Sequence, residues 1–298
     1  MNLNQLENFV RMAEHGSFSK AALVLGIAQP ALSRQVRALE VELREPLFLR
    51  HGRGVQLTEI GRRLLEHCHG ILHLVSQVKV DLAAQRDEPV GQIAIALPPT
   101  LARHHTLPLI QAFRKDMPQA RMAIIEGFST HITEWLTSGR VDLGLVYNPE
   151  PSPALEIRPL REEKICLVSP AHESPARTVP LRDLSKYPLV MPARGNSFRK
   201  LMESAAAMRG VKLNVEWEVS SVPVILDLVS AGLGHAALAE DAIRPFQRLK
   251  RLSVAPFVQP EIKITLCLVT PAQRRATTLR QRTEALIVQM ISPARHAG

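Results

Sequence analysis

From Leu57 to Leu82 the apolar positions Leu57, Leu64, Cys68, Ile71, Val75, Val78 and Leu82, with Gly61 in the remaining slot, are separated by alternating steps of four and three residues. A spacing that averages about 3.5 residues holds one narrow stripe on one side of a helix, which is the seam of a coiled coil rather than the broader face a globular core covers. The segment is therefore predicted to be a single long helix, with Leu64, Cys68, Ile71, Val75, Val78 and Leu82 pairing two copies of the chain. GlnArgAspGluProVal, residues 85–90, ends it and leads into the rest of the chain.

What precedes this helix reads as three shorter ones. Leu6, Phe9, Val10 and Ala13 follow i, i+3, i+4, i+7 spacing, and Gly16 supplies a stop. Phe18, Ala21, Ala22 and Leu25 repeat the spacing behind a Ser19 cap, and Gly26 closes that segment. A third helix opens with Pro30 in its first turn, where the missing N–H costs nothing, and carries Leu32, Val36, Leu39 and Leu43 as its buried stripe. Two short helices across a tight turn suggest helix-turn-helix.

The opposite side of the third helix bears Gln29, Ser33, Arg34 and Arg37. These groups can donate and accept in a major groove, where Arg reads guanine and Gln reads adenine. After Pro46, LFLRHGRGVQLT has the pattern of a β-hairpin wing that would set Arg50 and Arg53 against phosphates. A basic surface hairpin with no nucleic-acid role is the alternative for that segment taken alone. A dimer accounts for a single helix-turn-helix, because two recognition helices one DNA turn apart can read a two-fold symmetric site.

A chain of 298 residues has room for roughly two domains at about 150 residues each, and 46% hydrophobic with 22% charged residues is the mixture of a folded protein. The net charge of +9 favours a polyanionic partner. Eleven Lys and Arg against eight Asp and Glu in residues 1–86 show that the charge is not gathered in a basic tail. Cys68, Cys166 and Cys267 lack metal-ligand spacing and read as free thiols of a reducing compartment. With neither a leader pattern nor an apolar run of membrane-spanning length, a cytoplasmic protein without membrane partners is expected.

The block AALVLGIAQPALSRQVRALEVELREPLFLRHGRGVQLTEIGRRLL resembles the N-terminal domain of LysR-type transcriptional regulators, with the pattern A-Q-P-A-L-S-x-x-[IV]-x-x-L-E intact from Ala28 to Glu40. The resemblance extends along the helix and more loosely over the remaining chain. It implies that Gln29, Pro30, Ser33 and Arg34 meet base edges while Arg50 and Arg53 hold the backbone, and that two dimers form a tetramer. PARGNSFRKLMES and SSVPVILDLVSAG are further similar to the nitrogen-assimilation-control branch. The family has a proline shortly after the turn that matches Gly232–Gly234; this chain has Ala239 there.

Beyond residue 90 the strand runs GQIAIAL, RMAIIEG, VDLGLVY, KICLVS, YPLVMP, VEWEVS, HAALA and EIKITLCLVT alternate with helical segments, the pattern of parallel α/β units. The first of those helices carries Leu107, Ile110 and Phe113. By resemblance the region is a two-lobed, periplasmic-binding-protein-like effector domain with a ligand cleft and two crossover strands. The expected organisation is α/β overall: a winged helix-turn-helix at 1–58, a linker helix at 59–88, and an effector domain at 89–298. Lobe I would comprise about 89–161 and 268–298, and lobe II about 162–267.

Open α/β sheets bind ligands beyond the carboxyl ends of their strands, next to helix N-termini that attract anions. Three places fit: Pro99 and Thr100, Ser129 and Thr130, and Asn196 with Ser197 and Phe198. At each, plain helix capping is the alternative. Tyr147, ending a strand expected to cross between lobes, would line the cleft or the core. His104 and His105 read as surface histidines, and His67, His69 and His73 as a solvated helix face. No GxSxG, Walker loop or HExxH occurs, so no enzyme activity, cofactor or metal is expected. The reading is thus a regulator that binds a pseudo-palindromic promoter site as a dimer or tetramer, answers to a small anionic effector, and has RNA polymerase as a further partner. A two-lobed small-molecule-binding protein with an N-terminal interaction module is the rival.

Overall fold

The computed structural model describes residues 1–51, 54–83, 89–173, 177–194, 196–250, 252–272 and 277–291. Helix α1 (Leu3–His15) begins in a capping box, Asn2 and Gln5 each accepting the other's backbone amide, and ends at Gly16 in the left-handed conformation. Helix α2 (Phe18–Leu25) is capped by Ser17, not Ser19; the Ser19 hydroxyl instead donates to Gln29 across the turn. Helix α3 (Gln29–Leu43) has Pro30 in its first turn and buries Leu32, Val36 and Leu39, while Leu43 stays exposed. Strands β1 (Phe48–His51) and β2 (Gly54–Leu57) pair antiparallel as the wing. Phe9, Met12, Leu32, Leu39 and Leu47 are completely buried at the centre of this unit.

Helix α4 (Glu59–Ala83) has 25 residues and is about 37 Å long. It is drawn against the wing at Gly61, where a Cβ would lie 2.2 Å from the Leu47 carbonyl oxygen. The first half of its apolar stripe is covered by its own chain: Leu64 and Ile71 pack on the winged core and Cys68 is fully buried there, its thiol pushed up to about 11 by burial. Val75 is half-buried and Val78 is 56% exposed, while the Leu82 side chain lies outside the described residues, as do 84–88. The expectation that Cys68 belongs to a pairing seam is thereby corrected, because the chain's own winged core already covers it.

In the first lobe, β3 (Gly91–Leu97), β4 (Ala120–Glu126) and β5 (Leu143–Tyr147) are parallel, with helices α5 (Pro99–Asp116) and α6 (Ser129–Ser138) between them. Strand β6 (Leu155–Pro170) is the shared element. Its first part pairs with β12 (Lys263–Pro271), and its last residues pair with β10 (Ala236–Ala239) and β11 (Leu252–Val258) of the second lobe. The ladder order is β4-β3-β5-β12-β6-β11, followed by the two-residue β7 (Val179–Pro180). Strands β8 (Leu189–Met191) and β9 (Val215–Glu218), with helices α7 (Ser197–Ala207), α8 (Val222–Ser230) and α9 (Glu240–Lys250), complete that lobe, and α10 (Thr278–Ile291) returns to the first.

The expected crossover needs correction. Strand β5 does not cross; the long β6 does, beginning nine residues before KICLVS, and β12 brings the chain back. In α5 the sheet covers Leu101, Ala102, Leu109 and Phe113, leaving Leu107 66% and Ile110 44% exposed. That helix carries two apolar stripes, and spacing alone does not say which one a sheet will select.

Candidate functional site

The sequence-predicted recognition residues share one side of α3. Gln29, Pro30, Arg34 and Arg37 are exposed and Ser33 is half-buried, while the opposite side holds α3 in the core. Glu40, one turn from the end of α3, uses a single carboxylate oxygen to accept the amides of Leu47 (2.8 Å) and Phe48 (3.2 Å) and so fixes where the wing begins. Arg50 lies on β1 but its side chain is outside the described residues, as is all of Arg53.

A cleft of about 650 Å³ opens between the lobes, within the size range of small-molecule sites. Lobe I contributes Pro99 and Thr100 from α5 and Ser129 from α6, with Tyr147 at the end of β5; lobe II contributes Asn196, Ser197 and Phe198 from the start of α7. Thr130 points away and is exposed. Capping accounts for Asn196, whose side chain accepts the Phe198 amide at 2.9 Å. Thr100 and Ser129 are not N-caps: those positions belong to Pro98 and Phe128, neither of which caps through its side chain. Helix α8 likewise lacks a side-chain cap at Ser221, another cleft residue. Three helix N-termini thus reach the cleft with backbone amides that side chains do not satisfy, an arrangement that attracts negative charge.

Among the described residues, three contacts span the cleft. The Ser129 and Ser197 hydroxyls are 3.5 Å apart, Tyr147 meets Phe198 edge-on at 5.2 Å, and the Arg103 guanidinium lies 5.1 Å above the Phe246 ring. Behind them the Tyr147 hydroxyl donates to Glu163 (3.2 Å), which also accepts from Arg161 (2.8 Å); Arg161 pairs in turn with Asp241 at the start of α9. Burial, and then the neighbouring Glu163, holds the Tyr147 phenol well above its ordinary value, so it remains a donor. Burial also raises the Glu163 carboxyl, against the opposing pull of Arg161.

Sequence reasoning missed Arg103, His104, Phe128, Ser221 and Phe246, all of which line the cleft. Arg103 and His104 follow Thr100 by one helical turn, a signal that was available; Phe246 reaches the cleft from α9 and left none. The surface reading of both histidines is corrected: His104 faces the cleft, and His105 is half-buried, its pKa lowered by burial and then by Arg161 and His104.

The bacterial regulatory helix-turn-helix model of the lysR family matches residues 3–62, and the LysR substrate binding domain model matches residues 86–290. The nitrogen assimilation regulatory protein nac of Klebsiella aerogenes is 29% identical over 98% of this chain and 96% of its own length, and nac of Escherichia coli K12 matches equally. The crystal structure of CbnR, a LysR family transcriptional regulator, superposes with a TM-score of 0.73 at 24% identity, covering 99% of this chain and all of that one. Full-length CbnR complexed with its target DNA gives 0.71 at 23%, covering 98% and 99%. No helix among the described residues is long and apolar enough to cross a membrane. The chain belongs to the LysR family of DNA-binding transcriptional regulators.

Proposed function

We propose that this regulator binds a pseudo-palindromic promoter site in the cytoplasm as a dimer or tetramer, and that a small anionic effector in the interlobe cleft alters how the paired DNA-binding units lie on the DNA. Gln29, Pro30, Ser33, Arg34 and Arg37 read base edges, and Arg50 and Arg53 hold phosphates. RNA polymerase is the partner through which occupancy becomes transcription. The effector half of this reading is carried by one observation: α5, α6 and α8 open into a single cleft without side-chain caps, beside Arg103 and the rings of Phe128, Phe198 and Phe246. That surrounding favours a carboxylate on an apolar or aromatic body.

Two assays test it. Binding to the duplex upstream of its own gene, across a salt series and against random DNA, should be sequence-specific and salt-steep. Arg34→Ala should cost about 1–3 kcal/mol and relax base preference, whereas Arg53→Ala should weaken all sequences alike and flatten the salt slope. Equal losses on specific and random DNA for both variants would refute this division. In a thermal-shift screen, aromatic acids and dicarboxylates should raise the melting temperature of the wild type but not of Thr100→Val or Ser129→Val. Stabilisation that survives both substitutions would place the anion elsewhere.

A further inference from the structure

Of the linker-helix histidines His67 is exposed, but His73 does not lie on a solvated face. His73 Nε2 is 2.9 Å from Asp142 Oδ2, both side chains being nearly buried, and the same oxygen accepts the Ala94 amide at 2.8 Å. One turn earlier Gly70 is buried where a Cβ would stand 2.2 Å from the Ser138 carbonyl oxygen. Helix α4 is therefore seated beside β3 and on the C-terminal turn of α6, the latter at a distance only glycine permits.

Helix α6 joins this seat to the cleft. At its first residue Ser129 accepts the Tyr147 amide and faces Ser197 across the lobes; about 13 Å further along, Ser138 meets Gly70. Its outer side carries a continuous stack: Phe128 in the cleft wall, then His131, then Trp135, with centroids 6.1 and 6.0 Å apart, and finally the Arg140 guanidinium 4.7 Å above Trp135. Gly127 lets Trp135 lie against the chain, since a Cβ there would be 2.5 Å from the ring. Inside, Ile132 and Leu136 are fully packed. A short helix gripped along both sides moves as one body, and one-helix shifts of about 1–2 Å are a common form of switching.

We propose that α6 is the mechanical link between the effector cleft and the DNA-binding arm: displacement at Ser129 is delivered to α4 through the Gly70 seat and the His73–Asp142 contact. The proposal rests on the effector reading of the cleft. Its alternative is that the lobes merely part while α6 and α4 keep their places.

The test uses the full chain with a built-in wedge in place of effector. Ser197→Trp puts a large ring where two hydroxyls now touch and must part Ser129 from α7. Spin labels at Lys20→Cys and Lys115→Cys report the DNA-binding unit against lobe I, and Lys115→Cys with Arg209→Cys reports the two lobes; the three native cysteines are buried and resist labelling. Labelled chains are diluted with unlabelled ones so that only distances within one chain are read. The wedge should shift both distances in the wild-type background. With His73→Ala the lobe shift should persist while the shift of the DNA-binding unit is lost, and His73→Gln, which keeps a donor to Asp142, should restore it. Parted lobes with an unmoved DNA-binding unit, or an undiminished shift in His73→Ala, would overturn the proposal. The distances need neither DNA nor effector, so failure here is separate from failure of the effector reading, which would appear as no stabilisation by any acid in the thermal-shift screen.

Discussion

Glu40→Ala removes a side chain that hydrogen-bonds helix α3 to the start of the wing. Its carboxylate oxygen accepts two amides, at 2.8 and 3.2 Å, from Leu47 and Phe48, which are 0% and 7% exposed. Hydrogen bonds to a charged acceptor are worth about 1.5–3 kcal/mol each. Because one oxygen serves both amides, the second bond is long and Glu40 is half-exposed, the lower end applies, giving about 3 kcal/mol in total. At 1.4 kcal/mol per tenfold, the open state of the wing should rise by roughly 150-fold. Glu40→Gln keeps a neutral acceptor and should cost about 1 kcal/mol. Hydrogen exchange of the β1 and β2 amides reads this directly, and a salt series on duplex DNA should show affinity falling for all sequences alike. Unchanged exchange in Glu40→Ala would mean that this side chain does not hold the wing, and a Gln variant as impaired as the Ala variant would mean that a neutral acceptor cannot replace the carboxylate.

The interlobe network should give a pH dependence of definite sign. Burial raises Glu163 above its ordinary 4.5, so the folded state holds its proton more tightly; that contribution is complete below about 4.5 and is lost as pH rises through the folded value. Relative to Glu163→Gln, wild-type stability should therefore decline with rising pH in denaturant titrations, and parallel curves would remove Glu163 as the cause. In the linker helix, Val78→Asp should dissociate the oligomer in sedimentation while leaving the fold intact, because Val78 is exposed in the single chain. A variant that still sediments as a dimer would put the pairing surface elsewhere.

How much was legible depends on the range of the interactions involved. Helices α1 to α3 are bounded by caps and glycines that act within a few residues, and the order of strands and helices in the lobes follows from local periodicity. The cleft residues Thr100, Ser129 and Asn196 could be named because each follows a strand and opens a helix. Their company could not: Phe246 and Ser221 meet them only after the chain has passed between lobes.

The sequence by itself determined the three N-terminal helices, the exposed Gln29, Arg34 and Arg37 on the third, and the existence of a long helix behind them, since each rests on spacing along a single element. Tertiary structure alone decided how that helix is used. The same heptad stripe that suits a partner copy also suits the winged core, and Cys68 went to the core while Val78 did not. His73 likewise carries no mark of its partner, because Asp142 lies 69 residues away and becomes its neighbour only when α4 settles on α6 at Gly70. Local pattern records which face of an element is apolar; what covers that face is a matter of shape, and shape is complete only in the folded chain.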